Sequence, residues 1–339
     1  MKLSSMLNLI ALAAIISVSS CSKDDNTPSN YLPSVKGSWK FVKGAADQKY
    51  LLIYDNRTFS LFTTADAGIR GRTDGVVLVT NNQLVLNYDL ESYGSSFIYN
   101  YAMAGDTLKL TSPTNSLKLV KDKSAPDTAT WIKNVTSTYS IKAPINSSTD
   151  IAFDGTYLWY GNANSTDYLY KINPNTGVKD SIATNQSAWG IEYDGTNLWV
   201  SNDGYSTIQK VNITTGSVLT TSVSMGAWIY GIARDANYLW CYSGNENTLY
   251  KYNTSTNSVV TTIEINADIR GMAFSNGYLY VVANGFLHKC SLNPINTEAS
   301  YALPGYSITG VTFDGTSFWV SAYETQTDSY KILKLSGVQ

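Results

Sequence analysis

Residues 191–202 read IEYDGTNLWVSN and gather side-chain types that chemistry uses. Glu192 and Asp194 supply carboxylates, Trp199 a flat apolar ring, and Asp203 a further acid just beyond the stretch. Taken alone, such a segment suits acid–base catalysis or the stacking of a sugar ring. Whether these residues are free for chemistry depends on what else in the chain needs them.

Four other segments carry the same pattern: IAFDGTYLWYGN from residue 151, IARDANYLWCYS from 232, MAFSNGYLYVVA from 272 and VTFDGTSFWVSA from 311. The aromatic at the ninth position is Trp159, Trp199, Trp240, Tyr280 and Trp319, at successive spacings of 40, 41, 40 and 39 residues. A strand bearing Lys171, Lys210, Lys251, Lys289 or Lys334 follows each, then a turn such as NPNTG at 173–177 and a fourth β-rich run. Four short strands in about 40 residues is the length of one propeller blade, and a blade buries both faces only by stacking on neighbours around an axis. The fifth copy ends at Gln339 before its fourth strand, and VTSTYSIKAP at 135–144 supplies the missing one. The chain is therefore read as all-β, with a five-bladed β-propeller of four-stranded blades over 135–339, closed by an N-terminal strand. A parallel β-helix fits a 40-residue repeat with four turns poorly.

A residue present in every copy is one that every blade needs. The turn acids Asp154, Asp194, Asp235 and Asp314, with Ser275 in the fourth copy, are assigned to tight turns whose two central residues both want φ > 0. The tryptophan series is expected between blades, and the lysine series in a repeated ladder or surface contact. Cys241 and Cys290 fall where sister copies hold apolar or aromatic residues and read as buried thiols, with a bridge between the third and fourth blades left open. His288 is the single histidine, so zinc sites and Ser-His-Asp triads lack support. No metal, no cofactor and no catalytic residue is assigned.

What stays individual lies just before each inner strand. The residues preceding the opening glycine are Trp189, Tyr230, Arg270 and Thr309, and Thr149 precedes Asp150 in the copy that lacks the glycine. These five are expected to ring the mouth of the axis, on the face carrying the variable connectors. With Glu192, where sister copies have Ala or Thr, and Asp203 in the following loop, they form the candidate ligand-binding set. Trp228, Tyr205, Asn245, Glu246, Tyr323 and Glu324 extend it. Aromatic, guanidinium and polar groups together can stack on and hydrogen-bond a sugar or peptide.

Apolar content of 43% with 15% charge describes a core-forming chain. A net charge of −2 without a basic stripe argues against nucleic acid, whose phosphates need clustered Lys and Arg. The N-terminus, MKLSSMLNLIALAAIISVSSCSKDD, has one lysine, an apolar run over 7–18 too short to span a bilayer, and small residues before Cys21. It resembles a bacterial lipoprotein signal: residues 1–20 removed, Cys21 lipidated and holding the protein to the membrane, and residues 21–35 a polar tether. The acidic SKDD resembles a surface-export signal, so the expected location is the outer membrane, lipid-anchored and facing outward. Residues 36–122 read as an up-and-down meander with turns at Asp55-Asn56, Asn81-Asn82 and Gly105-Asp106, which closes into a small barrel. KGSWKFV, with Gly37 and Trp39, resembles the opening of lipocalin-like domains, which implies a basic residue covering the tryptophan: Lys118 or Lys121. Residues 123–134 are the linker, where Asp127-Thr128-Ala129 resembles an O-glycosylation signal.

The blades resemble the plant and bacterial type of glutaminyl cyclotransferase, and look like virginiamycin B lyase and the lactonase propellers. The cyclotransferase likeness covers about 200 residues through the blade-building patterns around Asp-Gly-x-x-Leu-Trp and Lys-x-Asn-x-x-Thr-Gly. It implies an acid or Gln immediately before an inner-strand glycine, where this chain has Trp189, Tyr230, Arg270 and Thr309. The expected role is thus non-enzymatic: a surface lipoprotein whose propeller face recognises a glycan, peptide or partner protein. The alternatives are a divergent propeller enzyme, cyclotransferase-like or lyase-like, and a structural subunit of an envelope complex.

Overall fold

The computed structural model of the chain describes residues 35–44, 47–80, 82–88, 96–125, 131–147, 149–161, 163, 168–184, 187–201, 206–226, 228–236 and 238–339. Cys21, Thr128, Asp203 and Tyr205 lie outside the described residues.

Eight strands form a closed barrel: β1 (Gly37–Lys43), β2 (Gln48–Ile53), β3 (Thr58–Thr64), β4 (Arg70–Val79), β5 (Gln83–Tyr88), β6 (Ser96–Ala104), β7 (Thr107–Thr111) and β8 (Ser116–Lys121). Each pairs antiparallel with the next, and β1 pairs with β8, so no sheet edge is left open. Alternate residues point inward, as a half-buried strand requires. Leu51 and Ile53, Phe59 and Leu61, Leu108 and Leu110, and Leu117 and Leu119 fill the interior around Trp39. The Trp39 indole donates to the Val35 carbonyl at 2.7 Å, and its ring is covered by Lys121, whose Nζ is 5.5 Å from the centroid. Trp39 and Lys121 are direct cross-strand partners.

The barrel is docked on the propeller. A 3₁₀ turn at Asp66–Gly68, between β3 and β4, presents Ile69 to the fourth blade, where it is buried beside Ile265, Ile269, Leu279 and Cys290. Asp66 Oδ2 accepts the Asn266 N–H at 3.0 Å, and the Ala67 carbonyl accepts the Thr297 hydroxyl at 2.9 Å. Gly68 sits at φ +69°, and a methyl there would lie 3.0 Å from Asn296 Oδ1. Trp131, past the barrel, packs 5.6 Å from Phe62 on the barrel wall and donates to the Gly71 carbonyl at 3.2 Å. Arg70 closes the joint by donating to the Trp131 carbonyl at 2.9 Å and lying over its ring at 5.1 Å.

The five blades follow around the axis. Their antiparallel sheets start at inner strands Ile151–Phe153, Ile191–Tyr193, Ile229–Asp235, Ile269–Ser275 and Tyr306–Phe313. The fifth blade is completed by β10 (Thr136–Lys142), paired antiparallel with the last strand, Ser329–Ser336. That pairing closes the ring. The fourth blade gains a strand beyond the four expected, because β9 (Lys133–Asn134) pairs parallel with its outer strand, Ile295–Ala302.

The repeated residues hold blades together. Trp159 packs with Ile191 and Leu198 of the second blade, Trp199 with Ile232 and Leu239 of the third, and Trp319 with Ile151 and Leu158 of the first. Three of the four repeat tryptophans also bind their own turn: the indoles of Trp159, Trp199 and Trp319 donate to Asp154, Asp194 and Asp314 Oδ2 at 2.7, 3.1 and 2.8 Å, whereas the Trp240 indole nitrogen is buried without a partner. The lysine sits over the same ring and beside the same acid. Lys210 Nζ is 2.7 Å from Asp194 Oδ2, and Lys334 Nζ is 3.4 Å from Asp314 Oδ2. Their distances to the Trp199 and Trp319 centroids are 6.0 and 5.4 Å.

The turns differ from expectation. The aspartates are not at φ > 0. In three turns the following glycines are, with Gly155, Gly195 and Gly315 at 94°, 102° and 92°, and in the third blade Ala236 is, at 52°. Asp154, Asp194 and Asp314 instead cap their turns through Oδ1, which for Asp314 accepts the N–H of Thr316 and of Ser317 at 2.8 and 2.7 Å. The pair of positive-φ residues occurs in the fourth blade, at Asn276 and Gly277, where no acid is present. The bridge left open for Cys241 and Cys290 is not formed: both thiols are free and buried, in separate interblade clusters.

Candidate functional site

The inner strands converge so tightly that a side chain has no room at the first position. A methyl on Gly190 would lie 2.7 Å from the Tyr230 carbonyl, and one on Gly231 would lie 2.9 Å from Met272 Cγ. The residue before each glycine is therefore the last side chain before the mouth. Trp189, Tyr230 and Arg270 of the second, third and fourth blades form one continuous stack there. The Trp189 and Tyr230 rings are 5.0 Å apart at 53°, and the Arg270 guanidinium lies over Tyr230 at 4.7 Å. Asp268 holds the far end, 2.9 Å from Arg270 Nη2. Each of these contacts contributes about 0.5–1.5 kcal/mol, enough to fix orientation. Tyr230 also lies directly on Gly244, where any side chain would overlap its ring.

Beside this stack, Trp228 stands in solvent. It is 52% exposed, the most open of the eight tryptophans, and its backbone is in the left-handed region at φ +60°. That conformation costs a non-glycine residue about 1 kcal/mol or more. It is held by the Trp228 carbonyl, which accepts the Gly244 N–H at 3.0 Å.

The other half of the mouth is small and self-satisfied. Thr309 Oγ1 is 2.9 Å from Ser321 Oγ, and Ser321 donates to the Thr149 carbonyl at 2.6 Å. Thr149 is buried, so it lines the wall beneath the rim and does not join Trp189, Tyr230 and Arg270 on it.

Below the rim the axis is closed by Asp150, which occupies the position that is glycine in the other four copies. Its carboxyl accepts the N–H groups of Val311 at 2.9 Å, of Met272 at 3.2 Å and of Ile151 at 3.0 Å. A methyl on Gly271 would lie 2.6 Å from Asp150 Oδ1, so the carboxyl fits because its neighbours are glycine. Burial pushes the Asp150 carboxyl well above the usual range, against the pull of these three donors, and the charge of Glu192 adds to the rise.

Glu192 does not sit with the rim residues. The inner strand runs from the connector face toward the Asp-Gly turns, so Glu192 lies about 10 Å further along it than Trp189. There Oε1 accepts the Tyr193 N–H at 3.0 Å. Burial raises its carboxyl to about 8, while the Tyr193 N–H and the Arg234 charge and N–H pull the other way. Of the extending residues, Glu246 is engaged by the Tyr250 hydroxyl, and Glu324 accepts from Tyr306 at 2.7 Å. The buried His288 is occupied by Ser300 and the Ala283 carbonyl, and burial lowers its imidazole to about 4. Among the described residues no group of three His, Cys, Asp or Glu is placed to hold a metal ion.

Two features are not legible in the sequence. Asp150 stands out there as a missing glycine, but not as a plug, because its partners lie 122 and 161 residues away. Trp228 stands out as an aromatic near the rim, but nothing in the sequence marks its left-handed backbone.

A family described as a repeat of unknown function (DUF6923) matches residues 114–227, which run from the end of the barrel into the second blade. No curated protein matches the chain. Among solved structures, the glutaminyl cyclase of Myxococcus xanthus is similar at 9% identity, over 60% of this chain and 97% of that one, with a TM-score of 0.49. Regucalcin, a calcium-binding protein of Agrobacterium tumefaciens, is similar at 13% identity, over 60% and 97%, with a TM-score of 0.43. The PQQ-bound aldose sugar dehydrogenase of Streptomyces coelicolor is similar at 11% identity over the same shares, with a TM-score of 0.40. At such identities the likeness concerns the propeller and not its chemistry.

Proposed function

We propose that the protein is a lipid-anchored, cell-surface binding protein that captures its ligand at the connector-face mouth of the propeller, with no catalysis. The observation that carries this reading is the Trp189–Tyr230–Arg270 stack, an ordered aromatic and cationic ledge next to an exposed Trp228. Preorganised aromatic surface of this kind binds without first having to be ordered. Lipidation at Cys21, after removal of residues 1–20, supplies the anchor; several acyl chains hold firmly where one holds only marginally. The barrel, clamped to the fourth blade, then carries the propeller as one body.

The test is capture on a mixed array of glycans and peptides. Binding that is lost when Trp189, Tyr230 and Arg270 are changed together to Ala supports the reading, and binding that persists removes this mouth as the site. Cys21→Ser should release the protein from the membrane fraction.

A second reading rests on Glu192. A carboxyl raised to about 8 near the axis is poised for acid–base work at neutral pH. Turnover of a peptide with N-terminal Gln, abolished by Glu192→Gln, would favour an enzyme over a binding protein.

A further inference from the structure

The mouth has a chemistry narrower than binding in general. We propose, building on the reading of this mouth as a ligand site, that it takes a neutral glycan, with one pyranose ring stacked on Trp228 and its neighbour lodged against the Trp189–Tyr230–Arg270 ledge.

Each group at the mouth can offer only what it has not already committed. Backbone pairing with a peptide needs free N–H and C=O groups, because β-addition draws its affinity from main-chain bonds. Here three of the carbonyls are taken: that of Trp189 accepts from Asp150 at 2.9 Å, that of Gly190 from Ser201 at 3.0 Å and that of Trp228 from Gly244 at 3.0 Å, which leaves a peptide no continuous strand edge at these positions. A cationic ligand such as a quaternary ammonium group needs open aromatic faces around one point. The face of Tyr230 is already covered by the Arg270 guanidinium, whose charge repels a second cation. A nucleobase would also stack, but its phosphates need a cationic groove, and Arg270 is already paired with Asp268. What the ledge still presents is flat ring surface beside a partly exposed Arg–Asp pair.

A pyranose matches that inventory. One of its faces is C–H rich and lies flat on an aromatic ring, while its rim of hydroxyls both donates and accepts. Arg270 supplies donors to such a rim, and Asp268 supplies acceptors. The indole Nε1 of Trp189 has no hydrogen-bond partner, and a donor left in that state next to a hydroxylated ligand gains from any small opening of the ledge. The Arg–Asp pairing cancels local charge and favours a neutral sugar over a uronate. The strain at Trp228 fits the same picture, since the backbone holds a large, half-exposed ring at φ +60°.

The experiment is affinity electrophoresis of the anchor-free chain, residues 22–339, in gels carrying mannan, xylan, starch or a mixed-linkage β-glucan. Alginate and polygalacturonate serve as acidic counterparts, and a peptide array is run in parallel. The expected result is retardation by at least one neutral polysaccharide, weakened tenfold or more by Trp228→Ala and by Trp189→Ala. Val260→Ser, far out on the third blade, should leave retardation unchanged. Trp228→Ala removes an exposed side chain, so its circular dichroism and melting temperature should match the parent. Absence of retardation by every neutral polysaccharide overturns the inference, as does retardation indifferent to both tryptophans. Capture of peptides alone, lost with Trp189→Ala, overturns the glycan assignment while leaving the mouth as a binding site.

Discussion

The Asp150 carboxyl binds the neighbouring fifth blade at the propeller axis, its Oδ1 2.9 Å from the Val311 amide nitrogen. The same carboxyl takes the Met272 amide at 3.2 Å, so one side chain of the first blade ties the fourth and fifth blades at the centre. At the rim the same ring is closed by β10 on the last strand. Asp150→Ala would leave the Met272 and Val311 amides buried without acceptors, and we expect a loss of about 3 kcal/mol, read by urea unfolding. Asp150→Asn keeps one acceptor oxygen and should lose about half as much. An Ala variant as stable as the parent would show that the closure depends on β10 alone.

Glu192 makes stability depend on pH in a stated direction. Its folded carboxyl is raised from the ordinary 4.5 to about 8. The unfolded chain therefore releases this proton more readily, and stability falls as pH rises through that interval, levelling above 8. Glu192→Gln should flatten the decline and make the protein more stable at pH 9 by roughly 3 kcal/mol, seen as a higher melting temperature there and little change at pH 4.

Asp314 acts in the opposite sense. Burial opposes its ionisation, but the Thr316 hydroxyl, the Trp319 indole and the Ser317 and Thr316 amides hold its carboxyl far below the usual range. Its contribution is present above the ordinary carboxyl pKa and is lost as pH falls through the folded value. Asp314→Asn should destabilise at pH 7 by about 1–2 kcal/mol, and the difference from the parent should shrink on acidification below pH 4. Denaturant titrations at pH 7 and pH 3 measure the full contribution and the start of its loss.

The joint between barrel and propeller is testable through Ile69. Burying it against Ile265, Ile269 and Leu279 couples the two units. Ile69→Glu should place a charge in that contact and split a single calorimetric transition into two, with faster proteolysis between 122 and 134. One undivided transition in the variant would mean that the Trp131 and Arg70 contacts suffice.

Much of this architecture is legible in the sequence because it repeats. Asp194, Trp199 and Lys210 recur in other blades, and comparison among the copies within one chain assigns them to turns and interblade packing. The lysine-over-tryptophan cover is legible only through the likeness of KGSWKFV to lipocalin-like openings, which leaves Lys118 and Lys121 as alternatives; the pairing of Trp39 with Lys121 decides between them. The turn conformation is not, because Asp-Gly suits two arrangements and only capping through Oδ1 chooses between them. Uniqueness hides the rest. The docking turn at Asp66–Gly68 occurs once, and its partner Asn266 lies 200 residues on. Glu192 looks like a member of the mouth because it differs from its sister positions, yet strand geometry puts it toward the opposite face.

The most direct measurement of the binding site uses Trp228 itself. Of the eight tryptophans it is the most exposed, with Trp131 and Trp189 half-buried and the other five buried, so it makes the largest single contribution to acrylamide quenching of the anchor-free chain's fluorescence. Addition of the neutral oligosaccharide selected by electrophoresis should reduce the quenching constant at least twofold, saturably, and Trp228→Ala should lower the accessible fraction and remove most of that protection. Quenching that stays unchanged while the oligosaccharide is bound at saturation would contradict recognition at this mouth.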